Sequence, residues 1–301
     1  MKLINLAKKV VQILNEESGT FNYSLEKTRK SNDTKKVGVM YKGGKVCPIV
    51  YLDSIPGIDT LSVADVAETV KKILCRNYQD TVLPFECLED FKRENIFFQL
   101  LNKDKNTKYL ADVPTMPLLD LVFVPRYFVG KEEGYLGSVL LNKKILHELN
   151  VDVERDFEEI KENTLRLFGM KVTNLVKALT GLTEQDVDCS TVPDNCSDFI
   201  YVISNTANVY GAAAVLLSEA YRDLSPSGFL IPSSVHEFLA IPLFDGGTYN
   251  VSELNAIVKE VNTACVSVDE VLSDSVYYWS DGKGIEIACT KQNEDGQSQS
   301  G

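Results

Sequence analysis

The run DFIYVISNTANVYGAAAVLLSEAYRDLSPSGFLIPSSVHEFLAIPL, residues 198–243, carries the strongest fold signal of this 301-residue chain. It opens with the apolar sequence FIYVIS, which predicts a strand, and continues with an Asn-rich turn at residues 205–208. Residues 211–224 are rich in Ala and Leu and predict a helix, and residues 229–231 predict a second strand. This alternation predicts an α/β arrangement for the C-terminal part of the chain.

Further signals lie on the C-terminal side of this run. Residues 252–264 have helical periodicity. VYYWS and GIEIACT, residues 276–280 and 284–290, flank an Asp-Gly pair and predict a β-hairpin. The last residues are polar, so we expect a disordered tail over residues 291–301.

On the N-terminal side, residues 3–14 repeat apolar side chains every three to four positions and predict an amphipathic helix. VGVMY and CPIVYLD flank a Gly-Gly pair at residues 43–44, as the two strands of a hairpin do. Residues 60–77 predict a helix whose N-terminus is capped by Ser62 and Asp65.

The middle of the chain contains the most apolar run, LLDLVFVPRYFV at residues 118–129, which predicts a central strand that ends at Pro125. Residues 143–149 and 153–167 predict helices. Polar residues across 183–197 predict a surface connection.

These patterns together predict an α+β fold in which mixed sheets are covered by helices, arranged as two subdomains. We place an N-terminal α+β subdomain at residues 1–190. A C-terminal α/β subdomain, which carries the sequence PSSVHE, is placed at residues 191–290.

The charge balance is acidic, since 31 Lys and Arg face 43 Asp and Glu, for a formal net charge of −12. We therefore expect no direct nucleic-acid binding. The densest basic stretch, residues 27–36, is interpreted as a solvated turn. The acidic stretch DVERDFEEIKE, residues 152–162, is interpreted as the exposed face of a helix. The alternative is an acidic inhibitor of a nucleic-acid-binding host enzyme, which would act by complementary charge.

Seven cysteines without a CxxC pair indicate reduced thiols in the cytoplasm rather than a zinc ribbon or a redox motif. Cys75 and Cys265 fall on apolar helical faces, where a thiol acts as a small hydrophobe. No run of 18 apolar residues occurs, and two lysines interrupt the N-terminal helix. The sequence therefore predicts neither a membrane span nor a signal peptide.

The sequence PSSVHE, residues 232–237, is the most site-like feature of the chain. Ser233 or Ser234, His236 and Glu237 have the residue types of an activated nucleophile, which makes a hydrolase-like enzyme an alternative function. The Gly-x-Ser-x-Gly elbow of α/β hydrolases is absent. The competing interpretation is a strand end at which Ser234 caps a helical turn and His236 makes a structural hydrogen bond.

No metal site and no cofactor are predicted. Two His-Glu pairs begin at His147 and His236, but Val151 and Ala240 occupy the position of the second histidine of the HExxH zinc motif. A zinc site would need both histidines and a carboxylate to meet from distant segments.

Four further polar residues are candidate binding residues. Asn205 and Asn208 lie between a predicted strand and a predicted helix, where free backbone N–H groups can bind an anion and Asn208 can serve as N-cap. Asp120 and Arg126 lie within the apolar run of the middle segment. A charge there must be paired or must lie at a strand end, so structural pairing is favoured over a cleft.

Several of these blocks together resemble domain-of-unknown-function family 5688. The resemblance is carried by SNTANVYGAAAVLLSEAYRDL, FLIPSSVHEFLAIP and KEVNTACVSVDEVLSDSVYYW, and in the middle by DVPTMPLLDLVFVPRYFV and EEIKENTLRLF. It spans roughly residues 1–285, with departures at Ser204, where the family has Thr, and at residues 116–117, where it has a more basic pair. The resemblance implies a protein of gut-type Firmicutes, often encoded on mobile elements, and implies no established activity.

We therefore expect an intracellular bacterial protein that is a non-enzymatic accessory or protein-interaction factor of a mobile element. This expectation depends on the lack of a complete catalytic motif, on the acidic composition and on the family resemblance. Its partner is expected to be another protein.

Overall fold

The computed structural model describes residues 2–19, 22–43, 47–80, 91–132, 135–180, 200–244 and 249–289. Within these ranges, helices accompany three sheets, which confirms the α+β class. The expectation of mixed sheets is wrong here, because every strand pairing among the described residues is antiparallel. The chain divides into two compact units, Met1–Phe91 and Lys92–Gly301. The predicted boundary between residues 190 and 191 and the predicted tail lie outside the described residues and stay predictions.

The first unit is a three-stranded sheet with two helices. Its elements are α1 (Leu3–Ser18), β1 (Tyr23–Arg29), β2 (Lys35–Tyr41), β3 (Ile49–Tyr51) and α2 (Val63–Asp80). The predicted hairpin is confirmed as β2 and β3, and the N-terminal amphipathic helix is confirmed as α1. One core joins the apolar faces of both helices to the sheet, through residues such as Val10, Val39 and Val70.

The predicted cap of α2 is confirmed. The Asp65 N–H donates to Ser62 Oγ at 3.2 Å, and the Ser62 N–H donates back to Asp65 Oδ2 at 3.3 Å. This reciprocal pair satisfies backbone donors that have no partner within the first turn of a helix.

The interpretation of residues 27–36 as a turn is wrong in part. Residues 27–29 belong to β1, which pairs with β2 from Tyr23–Tyr41 to Arg29–Lys35, and the turn is confined to residues 30–34. Lysines and arginines are common on edge strands because they discourage pairing with other chains. The composition of residues 27–36 therefore resembles that of a solvated turn, although part of the stretch lies in strands.

The second unit begins with a four-stranded sheet built around one long strand. Its elements are β4 (Ile96–Asn102), β5 (Met116–Leu118), β6 (Leu121–Glu132) and β7 (Tyr135–Leu140). The other three strands all pair with β6, so the prediction of a central strand is confirmed.

The prediction that this strand ends at Pro125 is wrong, because β6 continues to Glu132. β5 pairs with β6 as far as Phe123 and β7 pairs from Arg126 onward, so Pro125 lies between these two partners. Its carbonyl accepts from the Leu141 N–H on that side, at 3.0 Å. Since the N and O atoms of a strand residue point to the same side, the missing N–H removes only the reciprocal bond to Leu141, next to the break between the two partners.

Two helices follow this sheet, α3 (Lys143–Glu148) and α4 (Phe157–Phe168). α4 packs against β4, where Phe98 lies 5.1 Å from Phe157 and Phe97 lies 5.0 Å from Phe168 between ring centroids. The acidic residues 158, 159 and 162 are exposed, as the helical interpretation of this stretch predicts.

The largest sheet has six strands in the order β13-β12-β10-β11-β9-β8. These strands are β8 (Lys171–Asn174), β9 (Tyr201–Ser204), β10 (Ser227–Ser234), β11 (Glu237–Pro242), β12 (Tyr277–Ser280) and β13 (Gly284–Ile287), and the accompanying helices are α5 (Leu175–Thr180), α6 (Gly211–Ser218) and α7 (Val251–Ala264). The predicted C-terminal hairpin is confirmed as β12 and β13.

The helix predicted over residues 211–224 is shorter in the structure. α6 ends at Ser218 because Glu219 adopts the left-handed conformation, and a 3₁₀ turn follows over Ala220–Asp223. Every residue from Gly211 to Leu217 is buried, so α6 lies within the core rather than on it.

Cys75 and Cys265, expected on apolar helical faces, are both exposed, so neither thiol packs in the core as a small hydrophobe. α7 turns Val251, Val258 and Asn262 inward, and Cys265 is the residue that ends the helix. Three other cysteines, at positions 87, 189 and 196, lie outside the described residues.

Candidate functional site around His236

The PSSVHE sequence forms a tight β-hairpin turn. Ser233 and Ser234 end β10, Val235 and His236 form the turn, and Glu237 begins β11. The expected strand end is therefore present, but the helical turn that Ser234 was expected to cap is not. Ser234 Oγ instead accepts the His236 N–H at 3.1 Å, which closes the turn locally.

The His236 ring is held by the loop that precedes α6. Nδ1 accepts the backbone N–H of Tyr210 at 3.0 Å, so the hydrogen of the neutral ring lies on Nε2. Nε2 is 3.4 Å from Glu270 Oε1. The predicted structural hydrogen bond of His236 is thus present, and its partner is a main-chain donor on another element.

Neither serine of the turn is bonded to the His236 ring. Ser233 Oγ donates to Glu237 Oε1 at 3.1 Å across the hairpin, and Ser234 Oγ is taken up by the turn itself. A serine nucleophile requires its hydroxyl to lie within hydrogen-bond reach of the base. These bonds assign Ser233, Ser234 and Glu237 to the architecture of the turn.

The loop before α6 is organised by Asn205, which is 1% exposed. Its Oδ1 accepts the N–H groups of Ala207 and Val209 at 3.1 and 3.3 Å, and its Nδ2 donates to the Val209 carbonyl at 2.8 Å. This arrangement satisfies backbone groups of a loop that has no regular secondary structure, as Asx turns do.

The expected N-cap role of Asn208 is wrong. Asn208 is exposed with φ 53°, and the N-cap position is held by Tyr210, which is also left-handed and whose side chain makes no cap bond. The Ala212 N–H, which a capping side chain would otherwise accept, donates instead to the Val235 carbonyl at 3.4 Å.

Gly211 allows the three segments to meet. A Cβ at this position would lie 2.5 Å from the His236 carbonyl oxygen and 2.6 Å from the Asn205 nitrogen, and closer still to Ser204 Oγ. Ser204 Oγ itself donates to the His236 carbonyl at 2.8 Å. The start of α6 therefore touches β9 and the hairpin turn through backbone atoms.

Arg126 joins this cluster through an aromatic stack. The Tyr210 ring lies 5.0 Å from the Arg126 guanidinium carbon and 5.9 Å from the centroid of the His236 ring. Arg126 is 8% exposed and donates to Gln99 Oε1 at 3.0 Å and to Ser138 Oγ at 3.0 Å. The guanidinium is thus stabilised by neutral acceptors and a cation–π contact, without a carboxylate partner among the described residues.

Asp120 belongs to a second polar cluster, so it is not paired with Arg126. It accepts hydrogen bonds from Ser273 Oγ at 2.6 Å and from the Tyr277 hydroxyl at 2.8 Å. Burial, together with the charge of Asp120, raises the pKa of Tyr277 well above its usual range. The predicted structural pairing of Asp120 is therefore with hydroxyl groups.

Asn262 on α7 extends this second cluster. Its Nδ2 donates to the Ser273 carbonyl and to Asp274 Oδ1, both at 2.9 Å, and Lys105 Nζ donates to Asp274 Oδ2 at 2.8 Å. Burial alone would raise the pKa of Asp274, but the hydrogen bonds from Lys105 and Asn262 outweigh burial and lower the pKa.

Sequence reasoning missed the residues that complete both clusters. Tyr210 lies between the predicted strand and the predicted helix, and its neighbours Asn208 and Gly211 are the only local signal of a functional loop. No local signal marks the other contributing residues, because each bonds to a residue of another segment of the chain. These residues are Gln99, Ser138, Glu270 and Lys105.

Within the parts of the chain that the structure describes, no group of three or more His, Cys, Asp or Glu side chains could hold a metal ion. No described helix is both long and apolar enough to cross a membrane.

Comparison with known proteins gives one match. The model of a family described as "Family of unknown function (DUF5688)" matches residues 4–281. No curated protein and no solved structure matches the chain. The match covers both compact units and both polar clusters.

Proposed function

The chain belongs to the DUF5688 family, a family of unknown function, and we propose that it is a non-enzymatic protein-interaction factor of a bacterial mobile element. We propose the cytoplasm as its location, in line with its seven cysteines, which include no CxxC pair. Its partner is another protein.

The observation that carries this proposal is the use of the His236 ring. Its Nδ1 accepts the Tyr210 N–H, and both neighbouring serine hydroxyls are bonded to other groups. The histidine and the two serines of the PSSVHE sequence therefore hold the loop, the hairpin turn and the start of α6 together. A role that needs a stable surface fits these contacts better than a role that needs a free base.

The acidic-inhibitor alternative has less support. Asp156 accepts from Arg155 at 2.8 Å and lies 3.0 Å from Arg93, and Glu159 lies 2.7 Å from the same Arg93. These ion pairs neutralise part of the acidic stretch that would have to imitate a nucleic acid.

Affinity capture from the native host tests the proposal. The tagged chain and a Ser233→Ala, His236→Asn double variant are cross-linked in cells, and the captured proteins are identified by mass spectrometry. Each candidate partner is then purified and its binding is measured directly. We expect one partner to bind both forms with the same affinity, because the proposal assigns no chemistry to these residues.

A hydrolase screen is the matching control. Ester, amide and phosphoester substrates are offered to the wild-type chain and to the double variant at equal folded concentration. Turnover by the wild type that the folded variant has lost would overturn the proposal and establish the hydrolase alternative.

A further inference from the structure

Helix α7 and the residue that ends it expose a row of apolar side chains, which we call the α7 stripe. Ile257 is 56% exposed and Val261 is 42% exposed, and Val268, just beyond the helix, is 68% exposed. Ala264 and Cys265 between them are also exposed. Single exposed apolar residues are ordinary, but a contiguous row marks an interaction surface.

The spacing places the stripe on one face of the helix. Ile257, Val261, Ala264 and Cys265 follow one another at intervals of four, three and one, so successive turns of the helix align them. The face that packs on the domain core uses Val251, Val258 and Asn262 instead. α7 thus has a core face and a second apolar row beside it.

Carboxylates follow one edge of the stripe. Glu253 and Glu260 are exposed and lie seven residues apart, each four positions before a stripe residue, Ile257 and Ala264. Glu253 Oε1 accepts from Asn250 Nδ2 at 2.9 Å, and no ion pair joins either carboxylate to a cation among the described residues. This edge adds to the net charge of −12.

A second copy of this chain fits the stripe poorly. In an antiparallel pair of identical helices the same edge of each helix meets, so Glu253 and Glu260 would face each other's copies. Like charges in that position are destabilising. The helical part of the stripe covers less than three turns, from Ile257 to Cys265, whereas a stable dimer buries about 800 Å² per partner.

We propose that the α7 stripe binds an amphipathic helix of a partner protein, with Lys or Arg along the edge that faces Glu253 and Glu260. Apolar side chains at intervals of three and four on such a helix would match the stripe, as in other helix-in-groove complexes. The basic edge would supply the complementary charge. This inference rests on the proposed interaction function and assigns that function to a surface.

Peptide binding to the full chain tests the inference. The probe is a labelled synthetic helix of about 18 residues, with Leu on one face and Lys on the other, and its control carries Glu in place of each Lys. Fluorescence anisotropy should give at least a tenfold tighter Kd for the Lys peptide, about 1.4 kcal/mol.

Two variants separate the apolar and charged contributions. Ile257→Gln with Val261→Gln, and Glu253→Gln with Glu260→Gln, should each weaken binding of the Lys peptide about tenfold. Val172→Gln with Val176→Gln, which changes two exposed valines elsewhere, is the matched control and should bind like the wild type. Equal binding by all forms, or no binding by the wild type, would overturn the inference.

Two more outcomes are decisive. A wild-type dimer in sedimentation velocity that Ile257→Gln with Val261→Gln converts to a monomer would assign the stripe to a second copy and overturn the inference. A native partner that binds this α7 variant as tightly as the wild type would also overturn it while leaving the proposed function in place. Failure of the proposed function looks different, since the wild type itself would then have no specific partner.

Discussion

At the scale of single residues, Gly211 is a position where an added side chain would collide with backbone atoms. Gly211→Ala would place Cβ within 2.6 Å of two backbone atoms, the Asn205 nitrogen and the His236 carbonyl oxygen. Backbone atoms cannot yield as a flexible side chain can, so we expect a loss of about 1–3 kcal/mol or more in the free energy of unfolding. Urea unfolding followed by circular dichroism measures the loss.

The matched control is Gly130→Ala, because a Cβ at Gly130 meets no atom within 4 Å. This variant should stay within about 0.5 kcal/mol of the wild type. Equal stability of the Gly211 and Gly130 variants would show that the contact of α6 with the hairpin turn is looser than the structure indicates.

His236 is predicted to act as a hydrogen-bond acceptor. His236→Ala leaves the Tyr210 N–H without its acceptor, and an unsatisfied polar group of this kind costs about 1–3 kcal/mol. His236→Asn retains an acceptor oxygen near the position of Nδ1, so it should lose clearly less stability than the alanine variant. Thermal unfolding of the three forms compares them, and equal losses for Asn and Ala would mean that the Tyr210 bond contributes little.

At the scale of elements, ion pairs around Asp156 stabilise the N-terminus of α4. Hydrogen bonds from Arg155, then from the backbone N–H of Asp152 and from Arg93, outweigh burial and lower the pKa of Asp156, whose side chain is 11% exposed. Because the folded-state pKa lies below the unfolded value of about 3.9, the carboxylate contributes stability above that value. This contribution is lost as the pH falls through the folded-state pKa.

Asp156→Asn should therefore destabilise the protein at neutral pH and progressively less as the pH falls below about 3.9. Both arginines are partly exposed, so solvent screening limits the effect to about 1 kcal/mol. Urea unfolding at pH 7 and near pH 3 gives the two differences. A difference that is unchanged between these pH values would exclude the carboxylate charge as its cause.

Strand β6 shows how an element can contain a residue that normally ends it. Pro125 lies between the partners β5 and β7, and the β4 side of the pairing continues through the Phe98–Pro125 pair. The rule that proline ends a central strand fails here because the strand changes neighbours at that residue.

At the scale of the whole molecule, the first unit has a core of its own. Among the described residues, the buried residues of this core lie between Leu6 and Leu74, on α1, the sheet, the segment after β3, and α2. We expect a fragment of residues 1–91 to fold alone and to unfold cooperatively on heating. A fragment of residues 1–62 loses Val66, Val70 and Leu74 from that core and should remain unfolded. Circular dichroism distinguishes the two, and an unfolded longer fragment would show that this core is insufficient by itself.

Local patterns determined most of the elements in this chain. The stripe of α1, the cap of α2 by Ser62 and Asp65, and the turn between β12 and β13 all depend on residues within one or two turns of each other. The family resemblance was likewise visible in short blocks of sequence, and the family match confirms it. Such signals are strong because propensity, spacing and turn chemistry act over a few residues.

The contacts of the candidate residues were decided only in the tertiary structure. Arg126, Tyr210 and His236 are far apart in sequence and meet because β6, the loop before α6 and the β10–β11 turn pack together. The same packing decides which ring nitrogen of His236 accepts the Tyr210 N–H and which face of α7 stays exposed. A sequence specifies which side chains can donate, accept or bury surface, but partners are chosen by the folded backbone that brings distant segments within bonding distance.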